Sequence, residues 1–147
     1  MYVYTSGDRC VLDYLEGLKT MPDIQIDERN NKIRTAIFMD VILAYLDYQR
    51  NYGIKWCHLF ASTPKYGSVA YIFNHLPNPD TRPVTARQNS LMGFYHKSLN
   101  IGKNIGIIKR ISNVHEELVN IARREDSSLL DIWCLEDDFW INPEIIR

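Results

Sequence analysis

Apolar residues along this chain fall into short blocks separated by polar stretches rich in proline, glycine and asparagine, and their spacing predicts the elements. From Arg34 to Tyr52, apolar side chains recur in steps of three and four at Phe38, Val41, Tyr45, Tyr48 and Tyr52. That period predicts an amphipathic helix, with Ile37, Ile42 and Ala44 widening its buried face. Gly53 stands where a helix commonly ends in a left-handed cap. Val11 to Leu18 reads as a short strand with its exit, and a polar, turn-rich stretch follows from Pro22 to Lys32. Trp56 to Ala61 reads as a buried strand, and Ala70 to Phe73 as another. His75 to Thr85 holds Pro77, Pro79 and Pro83, which predicts a stiff loop. Asn89 or Ser90 can cap a short helix bearing Leu91, Phe94, Tyr95 and Leu99. Asn113 with Glu116 predicts a capped third helix through Arg124. Strands alternating with helices point to an α/β or α+β fold, a central sheet flanked by helices.

Bulk properties narrow the function classes. The length of 147 residues suits one domain with one core, so residues 1–147 are expected to form a single unit. Apolar residues at 46% and charged residues at 24% are globular values and argue against disorder. A formal net charge of -1 gives no global attraction to nucleic acid or an anionic membrane. Cys10, Cys57 and Cys134 are widely spaced, and His58, His75, His96 and His115 lack metal-ligand spacing. Reduced thiols and no metal are therefore expected. The first residues lack an apolar signal core, and no stretch approaches the roughly 18 apolar residues of a membrane span. These features predict a soluble intracellular protein.

Four places offer chemistry. Arg34-Thr35 opens the longest predicted helix, where free N–H groups and the positive dipole end attract an anion. An ordinary cap with a solvated arginine fits the same spacing. His58 to Pro64 is a strand running into a proline-stopped loop, and ligands of open sheets bind where strands end. A plain buried strand fits it equally, with His58 as a core histidine. Phe94 and Tyr95 read from spacing as core, although a phenol held near a departing thiolate can supply its proton. Glu136, Asp137 and Asp138 precede Phe139 and Trp140, and such an acidic run either faces solvent or attracts a cationic substrate.

Taken in order, these segments resemble the catalytic domain of the CREB-binding-protein-type histone acetyltransferases. The resemblance rests on Tyr14-Leu-Glu-Gly17, Arg34-Thr35, Tyr45-Leu-Asp-Tyr48, His58-Leu-Phe-Ala-Ser-Thr-Pro64, Tyr71-Ile-Phe73, Phe94-Tyr95 and Glu136-Asp-Asp-Phe-Trp140. In that family the corresponding motifs are Tyr-Leu-Asp-Ser, Arg-Thr, Tyr-Leu-x-Tyr, His-Ile-Trp-Ala-Cys-Pro-Pro, Tyr-Ile-Phe, Trp-Tyr and Glu-Gly-Asp-Phe-Trp. The match spans nearly the whole chain.

The resemblance implies a nuclear enzyme of chromatin and transcription regulation that moves acetyl from acetyl-CoA directly to lysine. Histone tails or transcription factors would be its protein substrates, with no metal and no direct nucleic-acid or membrane contact. It assigns Leu15, Glu16, Gly17, Arg34, Thr35, Ser62, Thr63, Tyr71 and Phe94 to coenzyme A. Its catalytic candidates are Tyr95, which matches the family's general acid, and Phe60, which matches the tryptophan of the coenzyme tunnel, while Glu136 matches an acid in the lysine groove. Departures are plain. Phe60 and Phe94 replace tryptophans and lose an indole donor, Glu16-Gly17 replaces Asp-Ser, and Val69-Ala70 replaces a pair of aspartates. The family's early strands and distal C-terminal part fall outside these residues, so the resemblance also fits an inactive, truncated relative that binds coenzyme A or a protein.

Overall fold

The computed structural model describes residues 2–15, 32–63, 83–124 and 140–146. Among these residues five strands form one mixed sheet: β1 (Tyr2–Ser6), β2 (Arg9–Tyr14), β3 (Trp56–Phe60), β4 (Ile108–Asn113) and β5 (Trp140–Ile145). Their spatial order is β1-β2-β3-β5-β4. Residues 7 and 8 turn β1 into β2, an antiparallel pair. β2 and β3 are parallel, with Cys10 opposite Cys57 and Leu12 opposite Leu59, so the chain must cross back between them. The helix α1 (Ile33–Asn51) makes that crossing. β5 then inserts between β3 and β4, antiparallel to both. The α/β architecture read from the sequence is the one observed.

α1 and α2 (Val84–Asn104) cover one face of the sheet. Their side chains Ile42, Leu43, Leu46, Tyr95 and Leu99 meet Cys10, Leu12, Cys57, Leu59, Ile141 and Ile145 in a single core cluster. The two helices close tightly at Gly102, where an added Cβ would stand 2.7 Å from Ile108 Cδ1 and 2.8 Å from Leu43 Cδ2. α3 (Val114–Ala122) reaches the opposite face, where its Glu117 accepts from Ser112 Oγ.

α1 begins and ends within a residue of the span predicted from spacing, and Gly53 has the expected positive φ of 75°. Its buried face differs from the expected one. Met39, Ile42, Leu43, Leu46 and Gln49 are buried, whereas Ile37, Val41, Tyr48 and Tyr52 are exposed. The helix is apolar on most sides, so its period does not choose a face. Aliphatic side chains go inward, while Tyr48 and Tyr52 stay out and hydrogen bond to each other at 3.0 Å.

α2 also departs from expectation. It starts at Val84 after Pro83 as N-cap, so Asn89 and Ser90 lie inside it and cap nothing. No helix breaker stands between Pro83 and Asn89, and helix propensity carries the turn back to the proline. The loop predicted over His75 to Thr85 therefore loses Val84 and Thr85 to α2, and its residues 75–82 lie outside the described residues. The strand predicted at Ala70 to Phe73 lies outside them as well. α3 starts where predicted, with Asn113 Oδ1 accepting from the Glu116 amide at 2.9 Å.

Candidate coenzyme site at the end of the parallel strands

Parallel strands joined by an antiparallel helix bring three chain positions to one end of the sheet. Those are the exit of β2, the N-terminus of α1 and the exit of β3. Leu15 follows β2 and packs, half-buried, against the core. Arg34 and Thr35 occupy the first turn of α1, both half-buried. The N-cap, Lys32, is extended and makes no side-chain capping bond, and no acid lies in the first turn. The N–H groups and positive dipole end of such a first turn attract an anion. Arg34 holds its guanidinium 5.5 Å from the centre of the Phe38 ring, which braces a side chain of the kind that grips phosphate.

The exit of β3 is shaped by a residue that sequence reasoning missed. β3 ends at Phe60, and Ala61, Ser62 and Thr63 continue beyond the ladder. There the side-chain amide of Gln88, from the first turns of α2, takes over the ladder's role. Its Oε1 accepts from the Thr63 amide at 2.9 Å and from the Thr63 hydroxyl at 3.2 Å. Its Nε2 donates to the Ala61 carbonyl. One amide bonded to a C=O and an N–H two residues apart reproduces the pairing of a neighbouring strand. Nothing in the sequence marks Gln88, because its partners, two backbone groups and the Thr63 hydroxyl, lie in a loop far from it along the chain.

Phe94 and Tyr95 stand deeper, about 10 Å further along α2 than Gln88. Their rings meet edge to face at 5.3 Å. Tyr95 is only 4% exposed and belongs to the core cluster with Cys57 and Leu59, as its spacing suggests. Burial, then the nearby Cys57, pushes its hydroxyl up to about 12. Glu16, Gly17, Tyr71 and Glu136 lie outside the described residues. Trp140, which ends the acidic-aromatic run, opens β5 directly opposite Phe60.

His58 is a core histidine. It is 2% exposed, with Nδ1 2.8 Å from Asn142 Oδ1 and Nε2 3.1 Å from an Arg9 guanidinium nitrogen. A guanidinium only donates, so Nε2 accepts and Nδ1–H donates to Asn142. The ring is neutral in this arrangement. Burial foremost, with the Arg9 charge in the same direction, lowers its pKa below the ordinary 6.5 against the opposing pull of Asn142 and Glu117. The unfolded chain then binds the proton first, so stability is full above about pH 6.5 and falls as acid is added. We expect the urea midpoint to drop between about pH 7.5 and 5.5 and this drop to shrink in His58→Gln. Equal slopes in parent and variant would remove His58 from the account.

A cleft of about 660 Å³ opens between α2 and the β4–α3 junction, lined by His96, Asn100, Lys103, Asn113 and His115 among others. Among the described residues, none of those assigned to coenzyme A lines it. Among the described residues, no three His, Cys, Asp or Glu side chains gather to hold a metal. Among them, too, no helix is long and apolar enough to cross a membrane.

Residues 20–147 match the family profile described as histone acetyltransferase domain KAT3. The chain belongs to that family. Three relatives of this KAT3 member carry the match in sequence. It is 24% identical over 132 residues to a probable histone acetyltransferase, HAC-like 2, of Oryza sativa subsp. japonica, covering 84% of this chain and 9% of the relative. It is 25% identical over 125 residues to histone acetyltransferase HAC12 of Arabidopsis thaliana, covering 79% and 7%. Protein cbp-1 of Caenorhabditis elegans is 28% identical over 112 residues, covering 76% and 5%. The KAT3 chain thus spans less than a tenth of each of these curated relatives. An acetyltransferase family implies acetyl-CoA as co-substrate, and an uncapped helix terminus with an arginine is a donor set that fits its phosphates.

Proposed function

We propose that this chain forms the coenzyme-A-binding part of a nuclear lysine acetyltransferase that acts on histone tails or transcription factors and so regulates transcription. Arg34 and Thr35 hold the phosphates. Leu15, Phe60, Ser62, Thr63 and Phe94 wall the pantetheine arm, with Glu16, Gly17 and Tyr71 completing the coenzyme contacts. Glu136 draws the cationic lysine. The ammonium gives one proton to water, and the neutral amine attacks the thioester carbonyl; as the C–N bond forms the C–S bond breaks, Tyr95 gives its proton to the departing thiolate, and the proton then shed by the amide nitrogen restores the phenol. The observation that supports this reading is the gathering of Arg34-Thr35 and Ser62-Thr63 at one end of the β2–β3 pair.

A second reading has its own support. Tyr95 sits within the core, with its hydroxyl pushed up to about 12, a poor acid in that position. This favours an inactive relative that binds coenzyme A or a protein partner without turning over. Labelled-acetyl transfer from acetyl-CoA to histone-tail peptides by the purified folded chain separates the two. Transfer supports the enzyme; acetyl-CoA binding without transfer supports the module; neither binding nor transfer removes both.

A further inference from the structure

We infer that Gln88 is the positioning residue of the coenzyme site, fixing the Ser62-Thr63 wall against α2 so that it can receive the pantetheine arm. The inference rests on the coenzyme reading above and goes beyond it by naming what sets the wall.

The argument starts from backbone bookkeeping. Past Phe60 the strand leaves the sheet ladder, so the Ala61 carbonyl and the Thr63 amide need partners from elsewhere. Gln88 supplies both with one planar group, and the assignment of its two ends is forced. The Thr63 amide can only donate, so the atom 2.9 Å away is the oxygen, and the end facing the Ala61 carbonyl is the NH2. Ser62 lies between the two bonded groups, held as a strand residue would be although no described strand pairs with it. A loop tied by two backbone bonds to the helix bearing Phe94 and Tyr95 cannot shift without that helix.

The third bond changes chemistry as well as position. The Thr63 hydroxyl donates its proton to Gln88 Oε1 at 3.2 Å. Its oxygen then meets a ligand with lone pairs only. A threonine with a free rotor offers either donor or acceptor, whereas this one only accepts. The pantetheine arm carries two amide N–H groups, and a phosphate carries none. Thr63 is therefore set up for the amide-bearing arm and against a phosphate, which divides the labour with Arg34-Thr35 at the α1 terminus.

The test compares two ligands by calorimetry, acetyl-CoA and adenosine bisphosphate, which lacks the pantetheine arm. Gln88→Met keeps side-chain length and removes all three bonds. It should weaken acetyl-CoA binding about tenfold, the worth of one or two such bonds, and leave adenosine bisphosphate unchanged. A general loosening of the fold would weaken both ligands alike. If Gln88→Met does not fold, Gln88→Asn keeps the amide one methylene short of its partners and should give the same split. Equal losses for both ligands, or an unchanged acetyl-CoA affinity, would overturn the positioning role. A parent chain that binds adenosine bisphosphate and acetyl-CoA equally also overturns it. A folded parent that binds neither ligand instead brings down the coenzyme reading, and this inference with it.

Discussion

Tyr95→Phe should lower acetyl transfer by about 10²–10⁴-fold, the usual contribution of a positioned proton donor, while leaving the fold intact. The ring stays, so its packing with Cys57, Leu59 and Phe94 is kept, and only a buried hydroxyl is lost. Removing that group changes stability by no more than about 1–2 kcal/mol. The two readouts together are decisive, because a rate loss without a stability loss cannot come from unfolding. The raised hydroxyl adds a pH expectation. A phenol pushed up to about 12 keeps its proton throughout the working range, so no loss of rate from its ionisation should appear between about pH 7 and 9. A thiolate with a pKa near 8.5 is also a weaker base than this phenolate, so complete transfer is uphill until the bound ligand stabilises the phenolate or the sulfur leaves as a hydrogen-bonded anion. Transfer undiminished in Tyr95→Phe would make the tyrosine a core residue and nothing more.

Leu59→Ala should be the most destabilising single truncation among the strands, at about 2–5 kcal/mol. Leu59 is fully buried in β3, the middle strand of the sheet, beside Leu12 of β2 and Ile141 of β5, and beneath α1 and α2. Removing its branched end opens a cavity walled by three strands and two helices, which cannot collapse onto it from any side. Domains of this size have about 5–15 kcal/mol in total, so thermal melting should fall by on the order of 10 °C. A fall no larger than that of an exposed control such as Val84→Ala would mean that the sheet face is less tightly packed than its burial implies.

What the sequence disclosed follows from which interactions are local. α1 and the α3 cap depend on neighbours a few residues away, so spacing and the Asn113–Glu116 pair revealed them. The inward face of α1 depends on the sheet, and spacing could not choose between its two apolar sides. β5 escaped notice because Pro143 and Glu144 look wrong for an inner strand. Burial alone would raise the Glu144 carboxyl, but Arg110 at 2.7 Å and Lys109 at 3.2 Å outweigh it and hold it below the usual range. Both partners come from β4, more than thirty residues away along the chain, where no spacing rule reaches. The full set of residues assigned to coenzyme A was nameable only through the family resemblance. Topology then brings Leu15, Arg34-Thr35 and Phe60 to Thr63 to one end, and sets Phe94-Tyr95 deeper than a sequence match conveys.

The position of β5 reaches back to the moment the chain is made. It follows every other described element in sequence, yet it separates β3 from β4. While the ribosome is still working, β1, β2 and β3 can already pair, and the open flank of β3 has no correct neighbour to accept. β4 emerges next, and it is a strand that must not take that place. Nascent chains therefore pass through a stage with an apolar, unpaired edge and a tempting wrong partner at hand. A chain stalled ahead of Trp140 would carry a three-stranded piece of sheet and a lone β4 with nothing to join them, and such chains are natural clients for a chaperone.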